Sequence, residues 1–112
     1  MKKNILLEVS LDKEQMPEQI EWSASDSPAN SKQECKAFML SLWDGAQKNT
    51  FRMDLWTNKM QVDEMNFFFY QSLITMADTF KRATNNADGA EKIKSFANDF
   101  AEDLKILTKN TN

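Results

Sequence analysis

Histidine is absent and cysteine occurs once, at Cys35, so the side chains that could do chemistry are carboxylates, hydroxyls and one thiol. A nucleophile needs a base within hydrogen-bond reach. Cys35 has no imidazole to take its proton, and Asp26 or Asp44 would have to serve a serine without the usual relay. Asp63 with Glu64 and Glu102 with Asp103 are paired carboxylates. Neighbours on a helix diverge by about 100° and do not converge on one atom, so these pairs read as solvated, dipole-matching charge. A calcium loop needs several oxygen ligands in a short glycine-containing turn. Asn85, Asn86, Ala87, Asp88 and Gly89 supply only a fragment of one and read better as a capping turn. Neither Gly45 nor Gly89 belongs to a glycine-rich phosphate loop. The expectation is a protein with no catalytic residues, no cofactor, no metal and no enzymatic activity.

Composition narrows the classes further. A chain of 112 residues, 41% hydrophobic and 28% charged, with two Gly and two Pro, predicts a single domain over residues 1–112. A net charge of -3 with both signs interspersed leaves no basic stripe for a phosphate backbone, which excludes nucleic acid as the expected partner. The amino-terminal apolar run Ile5, Leu6, Leu7 stops at Glu8, too short to direct export, and no run approaches the ~18 residues of a membrane span. The expected location is the cytoplasm, without direct membrane insertion.

The elements that must position any binding surface follow from periodicity. Ile5, Leu7, Val9 and Leu11 alternate as in a half-buried strand, and Ile20, Trp22 and Ala24 repeat the pattern. Pairing Leu11 with Ile20, Val9 with Trp22 and Leu7 with Ala24 leaves a loop from Glu14 to Pro17. Ser25 to Glu34 has the composition of a surface loop, with room for a short helical turn near its end. A second hairpin pairs Phe38, Leu40 and Leu42 with Leu55, Met53 and Phe51 around a loop from Gly45 to Lys48. The opposite face of that hairpin then collects Ala37 opposite Trp56, Met39 opposite Asp54, Ser41 opposite Arg52, and Trp43 opposite Thr50.

Two helices complete the chain. Val62, Met65, Phe69, Leu73, Met76 and Phe80 form a core-facing stripe on a helix from Val62 to about Thr84, while Phe67, Tyr70 and Ile74 form a second stripe that needs cover of its own. Asp88 followed by Glu91 predicts the start of a last helix, whose stripe is Ile93, Phe96, Ala97, Phe100, Leu104 and Leu107. The predicted fold is α+β: a four-stranded antiparallel sheet of two hairpins, ordered as a meander, with two C-terminal helices packed on one face in a two-layer sandwich.

Two surfaces are candidate protein interfaces. The first is Met39, Trp43, Arg52, Asp54 and Trp56, aromatic and apolar side chains beside a charged pair. Two readings of it stand: an interface, or a patch over which the loop from Ser25 to Glu34 folds back. The second is Phe67, Tyr70 and Ile74, for which cover by the last helix is the favoured reading. Surplus apolar surface on both sheet and helix is compatible with a symmetric homodimer.

Several segments stand together in order: Ile20, Glu21, Trp22, Ser23, Ala24 with Asp26; Leu42, Trp43, Asp44; Asp54, Leu55, Trp56, Thr57; Met60, Val62, Asp63, Glu64, Met65; and Met76 through Phe80 with Arg82, Ala83 and Thr84. Taken together they resemble a known family, the gliding motility protein GldC family of the Bacteroidetes gliding machinery. The resemblance implies a small soluble protein associated with surface gliding, a process linked to type IX secretion, without enzymatic activity. The exposed surface adds the expectation of a cytoplasmic accessory or adaptor protein that binds a protein component of the gliding or secretion machinery through the Trp43 and Trp56 face. A secretion-chaperone-like, client-binding role linked to type IX secretion is the alternative.

Overall fold

Apolar residues at every second position draw Ile5–Leu11 (β1) and Pro17–Ala24 (β2) into an antiparallel pair in the computed structural model, which describes residues 1–25 and 31–106. Val9 lies opposite Ile20, Leu7 opposite Trp22 and Ile5 opposite Ala24. This register is two residues away from the one expected from the apolar pattern. A slip of two preserves which side chains share a face, so periodicity alone could not separate the two registers. Asp12 decides between them. Its carboxylate accepts the backbone N–H groups of Glu14 (2.8 Å) and Met16 (3.0 Å). Its own N–H donates to the Met16 carbonyl at 2.8 Å, and Gln15 takes a left-handed φ of 67°. A register shift between Ser10 and Leu11 absorbs the extra residue and places Leu11 opposite Pro17.

A third strand, Gln33–Cys35 (β3), pairs with β2, with Cys35 opposite Ile20 and Gln33 opposite Trp22. The end of the stretch expected as loop is therefore strand; the expected helical turn there is not formed, and residues 26–30 lie outside the described residues. Side chains supply what this polar segment lacks in apolar pattern. Gln19 Nε2 donates to Glu34 Oε2 at 2.8 Å, and Lys32 Nζ meets Glu8 Oε1 at 2.6 Å. The same registers line Glu8, Glu21 and Glu34 up across the three strands, a row of like charges that Lys32 partly offsets.

Ala37–Asp44 (β4) and Asn49–Trp56 (β5) pair as the sequence predicts, residue for residue from Ala37 opposite Trp56 to Asp44 opposite Asn49. The turn is held by Asp44, whose carboxylate accepts the N–H groups of Ala46 (3.0 Å) and Gln47 (3.3 Å), and it closes through Lys48 at φ 53°. Lys36 alone separates β3 from β4. Its carbonyl accepts the Thr57 N–H at 2.8 Å, and the Asn58 N–H reaches the Pro17 carbonyl at 3.0 Å, so the end of β5 is tied back to the first sheet. The expected four-stranded sheet is thus five strands in a three-stranded sheet, β1-β2-β3, and a two-stranded sheet, β4-β5. The fifth strand, β3, arises from the end of the segment expected as loop and stands one residue, Lys36, before β4. These strands form one compact unit, Met1–Met60.

The second unit, Gln61–Asn112, is an antiparallel helical pair: Val62–Thr84 (α1) and Ala87–Asp103 (α2). Glu64 Oε1 accepts the Gln61 N–H at 2.9 Å at the start of α1, and Lys81 and Arg82 occupy its last turn, so charge complements the helix dipole at both ends. Asn85 at φ 59° ends α1 by returning its N–H to the Lys81 carbonyl. The cap of α2 is Asn86, whose Oδ1 accepts the Gly89 N–H at 2.8 Å; Asp88, expected as the cap, lies inside the first turn. Asn is as good a cap as Asp, and the two candidates stand too close in sequence for pattern to choose.

The two helices meet through small residues. Ala77 on α1 and Ala90, Ala97 and Ala101 on α2 are all buried. A Cβ built at Gly89 would stand 2.7 Å from the Phe80 ring, which shows how closely the helices approach near their turn. The stripe of α1 that faces α2 is the one carrying Tyr70 and Ala77, with Tyr70 Oη donating to Asn98 Oδ1 at 3.3 Å and Lys94 bridging to Asp78 at 3.2 Å. In the stripe predicted to face the core, Met65, Leu73 and Phe80 are half-buried and Val62, Phe69 and Met76 are exposed.

Candidate functional site

The face of β4 and β5 that carries the tryptophans is assembled by register alone. Trp43 stands opposite Thr50, Ser41 opposite Arg52, Met39 opposite Asp54 and Ala37 opposite Trp56, so Met39, Trp43, Arg52, Asp54 and Trp56 share one side of the hairpin. Trp43 is 67% exposed and Trp56 55% exposed. Between them Arg52 is fixed in place. Its Nε and Nη2 donate to the two oxygens of Asp54 at 3.2 and 2.9 Å, and its Nη1 donates to Ser41 Oγ across the hairpin at 2.9 Å. The fork of the guanidinium matches the carboxylate, and the Asp54 hydrogen bond and charge together push the Arg52 pKa further up, so the group is cationic at any accessible pH. The result is two indole faces flanking a neutralised, hydrogen-bonded ion pair. Such a surface offers apolar area without an uncompensated charge to desolvate. Residues 26–30, the middle of the stretch that could fold across it, lie outside the described residues.

The second candidate set is divided by the helical pair. Phe67 and Tyr70 meet edge to face with centroids 6.4 Å apart. Tyr70 and Ile74 are half-buried, Tyr70 through its bond to Asn98 of α2, in keeping with cover by the last helix. Phe67 remains exposed and lines a shallow cleft at the open end of the pair with Asp63, Glu64, Asn66, Leu104, Lys105 and Ile106. One wall is acidic, and the other sets Lys105 between two aliphatic side chains.

Cys35 lies beside Glu18, Gln19, Lys36, Thr57 and Lys59 in a second shallow depression. Burial pushes its thiol up, opposed by a hydrogen bond with the Ala37 backbone, which keeps it protonated and weakly nucleophilic. Among the described residues no three carboxylate, Cys or His side chains come together as metal ligands, and no helix is long and apolar enough to cross a membrane.

One feature was not read from the pattern. Leu42, Phe51 and Met53, on the face opposite the tryptophans, are themselves 57%, 53% and 55% exposed. The signal was present in the sequence: both faces of this hairpin alternate with large apolar residues, which two packed layers cannot both use as core.

Antiparallel strands followed by a helical pair, with an aromatic sheet face exposed, place the chain among small α+β proteins. Within that class the match is specific. Residues 17–106 fit the family model described as "Gliding motility-associated protein GldC-like", and the chain belongs to that family. It is thereby associated with gliding motility. No curated protein and no solved structure matches the chain.

Proposed function

We propose that the protein is a non-enzymatic, cytoplasmic accessory or adaptor protein of the gliding machinery that works through protein–protein contacts, and that Met39, Trp43, Arg52, Asp54 and Trp56 form its interface. The observation that supports this most is the exposure of Trp43 and Trp56 on either side of the Arg52–Asp54 pair. Tryptophan and arginine are the residues that most often dominate binding energy, and clusters of them on an open face are uncommon without a partner. Membership of the gliding family supports the process in which that partner is sought. A gliding-deficient deletion strain complemented with Trp43→Ser/Trp56→Ser is expected to stay deficient while the variant accumulates as a folded protein. Full restoration of gliding would reject this interface.

A second reading, a secretion-chaperone-like binder of client segments, draws on the opposite face, where Leu42, Phe51 and Met53 are exposed. Flexible methionine and aliphatic side chains suit varied apolar segments. The pair Leu42→Ser/Phe51→Ser separates the two. It leaves gliding intact under the adaptor reading and impairs secretion of apolar-segment clients under the second.

A further inference from the structure

The outer edge of β5 has no strand partner among the described residues. In an antiparallel pair the N–H and C=O of one residue point to the same side, and successive residues point to opposite sides. The bond from the Thr57 N–H to the Lys36 carbonyl continues the register of Trp56 with Ala37. Thr57, Leu55, Met53 and Phe51 therefore turn their backbone groups toward β4. Trp56, Asp54, Arg52 and Thr50 turn theirs outward, where no strand among the described residues meets them. Every residue of β5 except Leu55 is exposed.

Natural edges of this kind are usually blunted by lysine, proline or a bulge. β1 has such protection: its register shifts between Ser10 and Leu11. β5 has none of it. Its sequence, Asn-Thr-Phe-Arg-Met-Asp-Leu-Trp, holds no lysine or proline, its ladder is unbroken, and its two charges neutralise each other.

Symmetry and parity then leave few registers. A two-fold antiparallel pairing must set an outward-facing residue opposite an outward-facing residue of the other copy. Centring on Arg52 puts guanidinium opposite guanidinium, and centring on Asp54 puts carboxylate opposite carboxylate. Both are disfavoured. Centring on Met53 puts Arg52 opposite Asp54 of the other copy twice over, Thr50 opposite Trp56, and Phe51 opposite Leu55, with Met53 facing Met53 on the axis. The hydrogen-bonded positions are then Arg52 with Asp54 and Thr50 with Trp56. The apolar residues fall at the closer, non-hydrogen-bonded positions, where side chains pack best. We propose that the protein self-associates through this edge, β5 against β5 about Met53, to give a continuous four-stranded sheet from two hairpins. The pairing would extend both exposed faces and turn a two-stranded sheet, marginal on its own, into a wider one.

The charges supply a test whose readout is self-association and not gliding, although Arg52 and Asp54 also belong to the proposed gliding interface. Asp54→Arg alone sets arginines opposite arginines, and Arg52→Asp alone sets aspartates opposite aspartates. Each weakens self-association on the order of tenfold or more. Mixing the two single variants restores it as a heterodimer, and the swap Arg52→Asp/Asp54→Arg in one chain restores the homodimer. Sedimentation equilibrium reads all four. Independently, Met53→Cys in a Cys35→Ser background is expected to oxidise rapidly to a disulfide-linked dimer, since directly opposed non-hydrogen-bonded residues have Cα atoms ~4.5 Å apart, within disulfide reach. Thr50→Cys, far from its own symmetry mate, is not. A wild-type chain that stays monomeric at high micromolar concentration, single variants that associate as the wild type does, or equal cross-linking of the two cysteine variants would overturn the proposal. Should a charge variant fail to fold, the cysteine pair still decides.

Discussion

Truncating Ile20 is the sharpest test of the first unit's packing. It is the largest fully buried side chain among the described residues, at 0% exposed, and stands mid-sheet with Val9 opposite it on β1 and Cys35 opposite it on β3. Ile20→Ala removes three carbons, about 2.4 kcal/mol at about 0.8 kcal/mol per buried methylene. Incomplete collapse of the gap raises the expected loss to about 3–4 kcal/mol, while Ile20→Val should lose only about 1 kcal/mol. All three tryptophans, Trp22, Trp43 and Trp56, belong to the unit Met1–Met60, so urea unfolding followed by indole fluorescence reports on this unit. The midpoint is expected to fall with the slope unchanged, as for a change in stability without a change in exposed area. A loss below about 1 kcal/mol for Ile20→Ala would refute the placement of Ile20 at the centre of the three-stranded sheet.

Asn86→Ala removes the acceptor for the Gly89 N–H and should lower the stability of the helical pair by about 1 kcal/mol, read by far-ultraviolet circular dichroism on thermal melting. Glu21→Gln relieves the carboxylate row of Glu8, Glu21 and Glu34 and should stabilise by about 0.5 kcal/mol in urea unfolding. The hydrogen bond and charge of Glu8 raise the Lys32 pKa above 10.5, so the stability from that pair is fully present below pH 10.5 and lost as pH rises through the folded value; Lys32→Gln should flatten the alkaline end of the stability profile. Burial raises the Cys35 thiol above 9.0, so its alkylation rate should reach half-maximum above pH 9.0, and its contribution to stability is present below pH 9.0 and lost as pH rises through the folded value. A midpoint below pH 9.0 would contradict the burial assigned to Cys35.

What could be read from sequence was whatever two independent constraints agreed on. For β4 and β5, strict alternation on both strands and a loop of fixed length allow one register, and the structure has it. For β1 and β2, alternation tolerates a slip of two, and the choice lay in the side chain of Asp12, which no hydrophobic pattern reports. β3 was missed because Gln33, Glu34 and Cys35 have no apolar alternation; they pair through backbone, with Gln19 and Lys32 in support. On α1 both apolar stripes were visible, and the expected meeting of α2 with the stripe of Tyr70 is seen in the Tyr70–Asn98 bond. The part played by the small residues Ala77, Ala90, Ala97 and Ala101, which are buried, does not stand out in a hydrophobic pattern. The residues of the tryptophan face were legible because register places them; alternation on both faces also signalled surplus apolar surface, but that it is Leu42, Phe51 and Met53 that are exposed is seen only in the folded chain.

The most direct measurement of the proposed function is affinity capture of the tagged protein from gliding cells, wild type beside a folded Trp43→Ser/Trp56→Ser variant, with the captured proteins identified by mass spectrometry. The account predicts that a component of the gliding or secretion machinery is retained by the wild type and lost from the variant. Equal recovery of that component by both proteins would contradict it and make the tryptophan face structural.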